Sequence, residues 1–75
     1  MDKLESYKEL RDRARSHAQN YTNDESYYNL VNTCVCMYEI NLIKYNLTSD
    51  EKYKLSLNTI SKILDVFLNI EQDLK

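Results

Sequence analysis

The sequence contains neither glycine nor proline. Without glycine, the chain cannot form the glycine-rich loop that cradles phosphates in nucleotide-binding proteins. Without proline, it lacks the residue that most strongly interrupts a helix. The 43% of hydrophobic residues is typical of a folded protein. The 75 residues therefore predict a single domain, 1–75, made of long helices joined by short polar connections.

A strong charge of either sign is also missing, since the formal net charge is −2. Domains that bind nucleic acid are usually basic, so nucleic acid is not the expected partner. The first ten residues, MDKLESYKEL, lack the apolar segment of a signal peptide, and no apolar run approaches the length that spans a membrane. We therefore expect a cytoplasmic protein that binds no membrane and keeps its two cysteines reduced.

Apolar residues recur at helical spacing in three segments. Short connections force neighbouring helices to run in opposite directions. The predicted fold is therefore all-α, an antiparallel three-helix bundle with helices at about 2–21, 23–45 and 49–74 and no β structure. The first helix is predicted to face the core with Leu4, Tyr7, Leu10, Ala14, Ala18 and Tyr21.

The two connections between these helices resemble each other. NYTNDESY begins at residue 20, and NLTSDEKY begins at residue 46. Each is predicted to end one helix at its asparagine and to cap the next helix with its threonine. Both a duplication and the chance convergence of capping residues explain the similarity. Alignment on this repeat predicts two facing core rows, Tyr27, Val31, Cys34 and Tyr38 against Tyr53, Leu57, Ile60 and Leu64.

The segment NTCVCMYE raises the question of whether Cys34 and Cys36 form a site. Residues two apart on a helix point about 200° apart, so these thiols cannot pair with each other or hold one metal ion together. The single histidine adds no zinc signature. No cationic residue lies within one turn of Cys36 to activate its thiol. We therefore predict no metal, no cofactor and no catalytic residue, and a protein that is not an enzyme.

A second apolar strip follows the other side of the second helix. It consists of Cys36, Met37, Ile40 and Ile43. A helix that is apolar nearly all round is buried on more than one side. Two interpretations remain open, because the strip is covered either by another helix of the bundle or by a partner protein.

Further residues are predicted to bind a partner. Lys8, Arg11 and Arg15 follow one edge of the first helix and suit an acidic surface, and Tyr28 points away from the core row. The long third helix is expected to overhang the other two and to expose apolar side chains, which favours a homodimer. The predicted overhang consists of Phe67, Leu68, Ile70 and Leu74.

The favoured hypothesis is a small non-enzymatic regulator or inhibitor that binds another protein through a helix surface. A phage, viral or mobile-element accessory protein fits this size and composition. The alternative is a dimeric nucleic-acid-binding regulator that joins the basic edges of two first helices, and its binding would fall steeply with salt. That edge comprises Lys8, Arg11, Arg13 and Arg15.

A minor alternative comes from the segment SKILD at residues 61–65. Over these five residues it resembles the Ser-Gln-x-x-Asp signature of the small helical-hairpin phosphatases that act on sporulation response regulators. Lys62 stands where that family has glutamine. The resemblance implies a small helical phosphatase of response regulators.

Overall fold

The computed structural model describes the backbone of residues 3–73 and the side chains of residues 3–70. This part contains three helices, α1 (Lys3–His17), α2 (Ser26–Thr48) and α3 (Glu51–Asp73), and a π-helical turn, Ala18–Thr22, that continues α1. Residues 3–73 contain no strand, and each helix packs against the other two. The predicted all-α three-helix bundle is therefore confirmed. The bundle is elongated and measures 42 × 19 × 18 Å.

The hydrophobic core lies where the three helices meet. It is formed by Tyr7, Leu10 and Ala14 of α1, Val31 and Val35 of α2, and Ile60 and Leu64 of α3. Every residue of the two predicted core rows is buried or half-buried, so the helical spacing identified the right faces of α2 and α3. Burying each large aliphatic side chain stabilises the fold by about 1.5–3 kcal/mol, which is why this seam holds the bundle together.

One residue of the predicted α1 row is not in the core. Tyr21 is 79% exposed, whereas Ala18 is buried. Both lie in the π-helical turn, which is closed by a hydrogen bond of 2.9 Å from the Asn23 N–H to the Ala18 carbonyl five residues earlier. This wider turn takes Tyr21 off the face that α1 presents to the core.

In the turn before α3, two side chains each accept a hydrogen bond from the backbone N–H two residues later. Thr48 Oγ1 accepts a hydrogen bond of 3.2 Å from the Asp50 N–H, and Asp50 Oδ1 accepts one of 3.1 Å from the Lys52 N–H. The turn before α2 repeats both bonds, at 3.2 and 2.9 Å, with Thr22, Asp24 and Ser26. The repeated sequences therefore form the same local structure, but aspartate rather than the predicted threonine caps the first helical N–H groups.

The left-handed residue in each turn lies three residues later than predicted. The residues in the left-handed conformation are Asn23 and Ser49, each with φ of 56°, and not Asn20 and Asn46. At the end of α2, the Ser49 N–H donates a hydrogen bond of 2.7 Å to the Tyr45 carbonyl, which carries the helix on to Thr48. A short polar side chain tolerates this conformation, and the chain then turns back without any glycine.

The predicted overhang of the third helix does not form at Phe67 and Leu68. α2 and α3 each contain 23 residues and run antiparallel, so the end of α3 lies beside the beginning of α2. The rings of Tyr27 and Phe67 meet edge to face with their centroids 5.8 Å apart. Phe67 and Leu68 both pack against the core. Leu74, the last residue of the predicted overhang, lies outside the described residues.

Candidate protein-binding surface

The second apolar strip of α2 lies on the surface of the chain. Met37, Ile40 and Ile43 are 48%, 50% and 53% exposed, and Cys36 is exposed as well. On the other side of α2, Val31 and Val35 are fully buried. Within the described residues no helix covers the strip, so the interpretation that another helix of the bundle covers it is wrong.

Met37 and Ile40 of the strip belong to a longer exposed row along the whole of α2. Its members follow one another at alternating intervals of three and four residues, the spacing with which one helix presents a face to another. They are Leu30, Thr33, Met37, Ile40, Lys44 and Leu47, all of them exposed. Sequence reasoning identified the middle of this row and missed Leu30 and Leu47 at its ends.

A corresponding exposed row follows α3, and sequence reasoning missed most of it. It consists of Leu55, Thr59, Ile63, Val66 and Ile70. Leu55 is 66% exposed and Val66 is 56% exposed, which are high values for large apolar side chains. The signal was in the sequence, at intervals of four and three residues. Of these five residues, only Ile70 was considered, as part of the overhang.

A groove of about 340 Å³ separates the two rows and is lined by Met37, Asn41, Leu55, Ser56, Thr59 and Ile60. Its lining brings Met37 of the α2 row beside Leu55 and Thr59 of the α3 row. We call the groove and the two rows the α2–α3 face. α1 packs on the opposite side of α2 and α3 and contributes nothing to the lining.

The charges on the α2–α3 face are positive. Lys44, Lys52 and Lys62 are all exposed there by helical position. The ammonium groups of Lys44 and Lys52 lie 5.7 and 5.1 Å from the centroid of the Tyr53 ring. Lys62 lies four residues before Val66 and seven after Leu55, and therefore shares their side of α3.

The acidic residues of α2 and α3 lie elsewhere. Over residues 26–70 there are four carboxylates, and two of them face α1. Glu39 Oε1 lies 3.7 Å from Lys8 Nζ, and Asp65 Oδ1 accepts a hydrogen bond from Tyr7. The other two, Asp50 and Glu51, stand at the start of α3, where Asp50 Oδ2 lies 3.8 Å from Lys52 Nζ. The α2–α3 face therefore combines apolar rows with lysines, and no carboxylate lies between its rows among the described residues.

The basic edge of α1 contacts the protein itself. Lys8 pairs with Glu39, and Arg11 Nε lies 3.6 Å from Asp12 Oδ1. The Arg15 guanidinium carbon lies 5.9 Å from the centroid of the Tyr28 ring. This edge therefore helps to seat α1 on α2, although each exposed pair contributes only about 0–1 kcal/mol.

Tyr28 differs from its predicted placement. It is half-buried and packs against the core instead of projecting from the bundle. The reason is that α1 lies over this side of α2, which the α2 sequence cannot reveal. Tyr28 therefore does not belong to the open α2–α3 face.

A polar cluster centred on the buried residues Tyr7 and Ser61 joins α1 to α3 and contains two residues of the SKILD segment. Lys3 Nζ donates to Ser61 Oγ at 2.8 Å, Ser61 Oγ lies 2.7 Å from Tyr7 Oη, and Tyr7 Oη donates to Asp65 Oδ1 at 2.8 Å. Because the only hydroxyl proton of Tyr7 goes to Asp65, Ser61 donates to Tyr7. Burial is the main cause that raises the pKa of Tyr7 to about 12. Ser61 and Asp65 are thus hydrogen-bonded inside the bundle.

The two cysteines occupy different environments, as helical geometry predicted. Cys34 is half-buried beside the core, and this burial raises the pKa of its thiol. Cys36 is exposed, with its Sγ 3.9 Å from Asn32 Oδ1. In the part of the chain that the structure describes, no group of three or more His, Cys, Asp and Glu side chains could hold a metal ion.

A smaller cavity of about 190 Å³ opens at the end of the bundle, where the π-helical turn meets the start of α2 and the end of α3. It is lined by His17, Ala18, Thr22, Asp24, Tyr27 and Ile70. The His17 ring lies 5.3 Å from the Tyr21 ring, which partly shields it. Ile70 connects this cavity with the end of the α3 row.

Comparison with known proteins adds no relative, because no family model, no curated protein and no solved structure matches the chain. None of the helices within residues 3–73 combines the length and the apolar content needed to cross a bilayer.

Proposed function

We propose that this protein is a small non-enzymatic regulator or inhibitor that acts by binding another protein through its α2–α3 face. The observation that carries the proposal is the pair of exposed apolar rows on either side of one groove. The lining brings the two rows together at Met37 and Leu55. Contiguous apolar surface of this kind is typical of protein interaction sites, whereas single exposed apolar side chains are common on any protein.

The core of the bundle is complete without the α2–α3 face. Val31, Val35 and Leu64 are fully buried on the inner sides of the same helices. Removing apolar side chains from water contributes roughly 25 cal/mol per Å², so covering the face by a partner would be favourable without any rearrangement of the core. The face is therefore suited to reversible binding by a chain that is already folded.

The proposed contact residues differ from the set predicted from sequence. Met37 and Ile40 remain, joined by the other apolar members of the two rows, Leu30, Leu47, Leu55, Ile63, Val66 and Ile70. Cys36 and Ile43 are exposed on α2 but belong neither to the row nor to the groove. The basic edge of α1 is left out because its side chains contact Glu39, Asp12 and Tyr28 of the same chain. The homodimer is no longer part of the proposal, since it rested on an overhang that Phe67 and Leu68 do not form.

The test is capture of a partner from an extract of the protein's native cells, with two face variants and one control. Ile40→Glu and Val66→Glu each place a charge on an exposed position of the face. Ser16→Glu places the same charge at an exposed position of α1, which packs on the opposite side of α2 and α3. We expect a protein that is retained by the wild type and by Ser16→Glu and is lost with both face variants.

Circular dichroism and thermal unfolding accompany the capture experiment. All three variants are expected to keep the helix content of the wild type, because exposed substitutions change stability by only about 0.5 kcal/mol. Equal capture by all four proteins would contradict the proposed role of the α2–α3 face.

A further inference from the structure

We infer that the partner docks on the α2–α3 face as an amphipathic α-helix with acidic residues beside its apolar stripe, an inference that rests on the proposed function. Two properties of the face lead to it. The rows have the spacing and the groove that fit a helix, and the charged residues among them are lysines. Each property can be tested separately from the other.

The shape of the face fits a helix. α2 contains 23 residues, so the face runs for about 35 Å along it. A helix in a groove buries residues at intervals of three and four, which matches the intervals of both rows. The protein already contains one such arrangement, because α1 lays Tyr7, Leu10 and Ala14 against the opposite side of α2 and α3. A docked helix would therefore give both sides of the α2–α3 pair a helical neighbour.

The lysines on the face favour a partner with acidic residues. Lys44 and Lys62 border the apolar rows, Lys52 beside them pairs with Asp50, and α2 and α3 turn Glu39 and Asp65 towards α1. A partner helix with carboxylates on both sides of its stripe would meet these ammonium groups at the rim of the interface. Complementary rim charges mainly raise the association rate and exclude partners of the wrong sign.

A second copy of the chain fits this face poorly. Face-to-face packing would bring Lys44 and Lys62 of two copies together, and the Asp50 carboxylate already pairs with Lys52 of its own chain. The outer side of α1 carries the exposed carboxylates Glu5, Glu9 and Asp12, but within Lys3–His17 no large apolar side chain is exposed. It therefore offers the right charge without the apolar stripe that the groove requires.

The probes are two synthetic helical peptides of equal length with the same leucines at positions i, i+3, i+4 and i+7. One carries glutamates beside the stripe, and the other carries lysines at the same positions. Their binding to the full chain is measured by fluorescence anisotropy at low and high salt. We expect the acidic peptide to bind at least tenfold more tightly at low salt, with the difference shrinking at high salt because exposed charges are screened.

Three variants separate charge from apolar contact. Lys62→Gln is expected to weaken binding of the acidic peptide severalfold and not to weaken binding of the basic one. Lys54→Gln removes the same charge from an exposed position off the face and is the matched control. Val66→Ser is expected to weaken the binding of both peptides. Because all three positions are exposed, thermal unfolding should match that of the wild type.

Several outcomes would overturn the inference. If both peptides bind equally and salt does not change their affinities, the inference that the partner is acidic is wrong. The inference that the partner is a helix would stand. If neither peptide binds while capture still depends on Ile40, the partner is not a helix, although the proposed function stands. If capture does not depend on Ile40 either, the proposed function is wrong. Tighter binding to phosphatidylserine vesicles than to the acidic peptide, or a dimer in sedimentation that Val66→Ser disrupts, would also overturn the inference, since either would assign the face a different occupant.

Discussion

The hydroxyl group of Tyr7 in α1 donates a hydrogen bond of 2.8 Å to the carboxylate of Asp65 in α3. Its oxygen also lies 2.7 Å from Ser61 Oγ, although Tyr7 is only 1% exposed. A buried polar group is costly unless its hydrogen bonds are satisfied, and here the partners satisfy one another. The cluster therefore favours one seating of α1 on α3, which apolar contacts alone would specify less strictly.

Replacing Tyr7 with phenylalanine should destabilise the bundle. Tyr7→Phe keeps the ring and removes the hydroxyl group, so Ser61 and Asp65 lose a buried partner. We expect the free energy of unfolding to fall by about 1–3 kcal/mol in urea titrations. Tyr21→Phe is the control, because this 79% exposed residue should change stability by less than about 0.5 kcal/mol. Equal effects of the two substitutions would contradict the role of the cluster.

Stability should decrease at alkaline pH because of the same residue. Burial, the largest cause, raises the pKa of Tyr7 from its ordinary value of 10.0 to about 12. Between pH 10 and 12 the unfolded chain loses this proton and the folded chain keeps it, so the contribution is present below pH 10 and is lost as the pH rises towards 12.

The loss at Tyr7 is expected to amount to roughly 3 kcal/mol at most, at 1.36 kcal/mol for each pKa unit. Unfolding titrations from pH 9 to 11.5 measure it as the difference between the wild type and Tyr7→Phe, which lacks the group. If the unfolding free energies of the wild type and Tyr7→Phe change in parallel with pH, Tyr7 is not the cause of the alkaline loss of stability.

The cap of α3 should depend on the side-chain oxygen of Asp50. Asp50→Ala removes the acceptor for the Lys52 N–H, and we expect it to cost about 0.5–2 kcal/mol of unfolding free energy. Asp50→Asn keeps an acceptor and should recover most of that loss. Asn58→Ala, an exposed substitution inside α3, serves as the control in the same thermal melts. If Asp50→Asn is as damaging as Asp50→Ala, charge rather than capping is the cause.

The two thiols should react at different rates in the folded protein. Cys36 is exposed, while Cys34 is half-buried and its thiol has a raised pKa, so less of it is present as reactive thiolate. With a disulfide reagent near neutral pH, we expect Cys36 to be modified several times faster. Cys36→Ser and Cys34→Ser isolate the slow and the fast thiol, and urea should make their rates similar. Equal rates in the folded state would contradict the placement of Cys34.

Much of the fold could be predicted because helical spacing reports which side of a helix is apolar. Val31, Leu57, Ile60 and Leu64 follow the spacing of a bundle seam and are buried. The connections could be located because capping chemistry uses few residue types. Which oxygen caps each helix could not be predicted, because Thr48 and Asp50 are both suitable acceptors and only the backbone path decides between them.

The candidate site was only partly predictable. Met37 and Ile40 were identified because they lie opposite the core row, but their spacing is equally consistent with a covered helix. Tyr28 was placed on the open surface, whereas α1 lies over it. The α3 row was missed because Leu55 and Val66 look like further core positions until the packing of α1 and α2 is known.

The sequence by itself determined three helices, the positions of their connections and the apolar rows of each helix, because these follow from local propensity and periodicity. Only the tertiary structure decided which rows are covered. The contacts among the three helices bury Tyr7, Val31 and Leu64. Ile40 and Val66 remain exposed to water. The physical reason is that periodicity describes one helix at a time, whereas exposure depends on how many neighbours the other helices can supply.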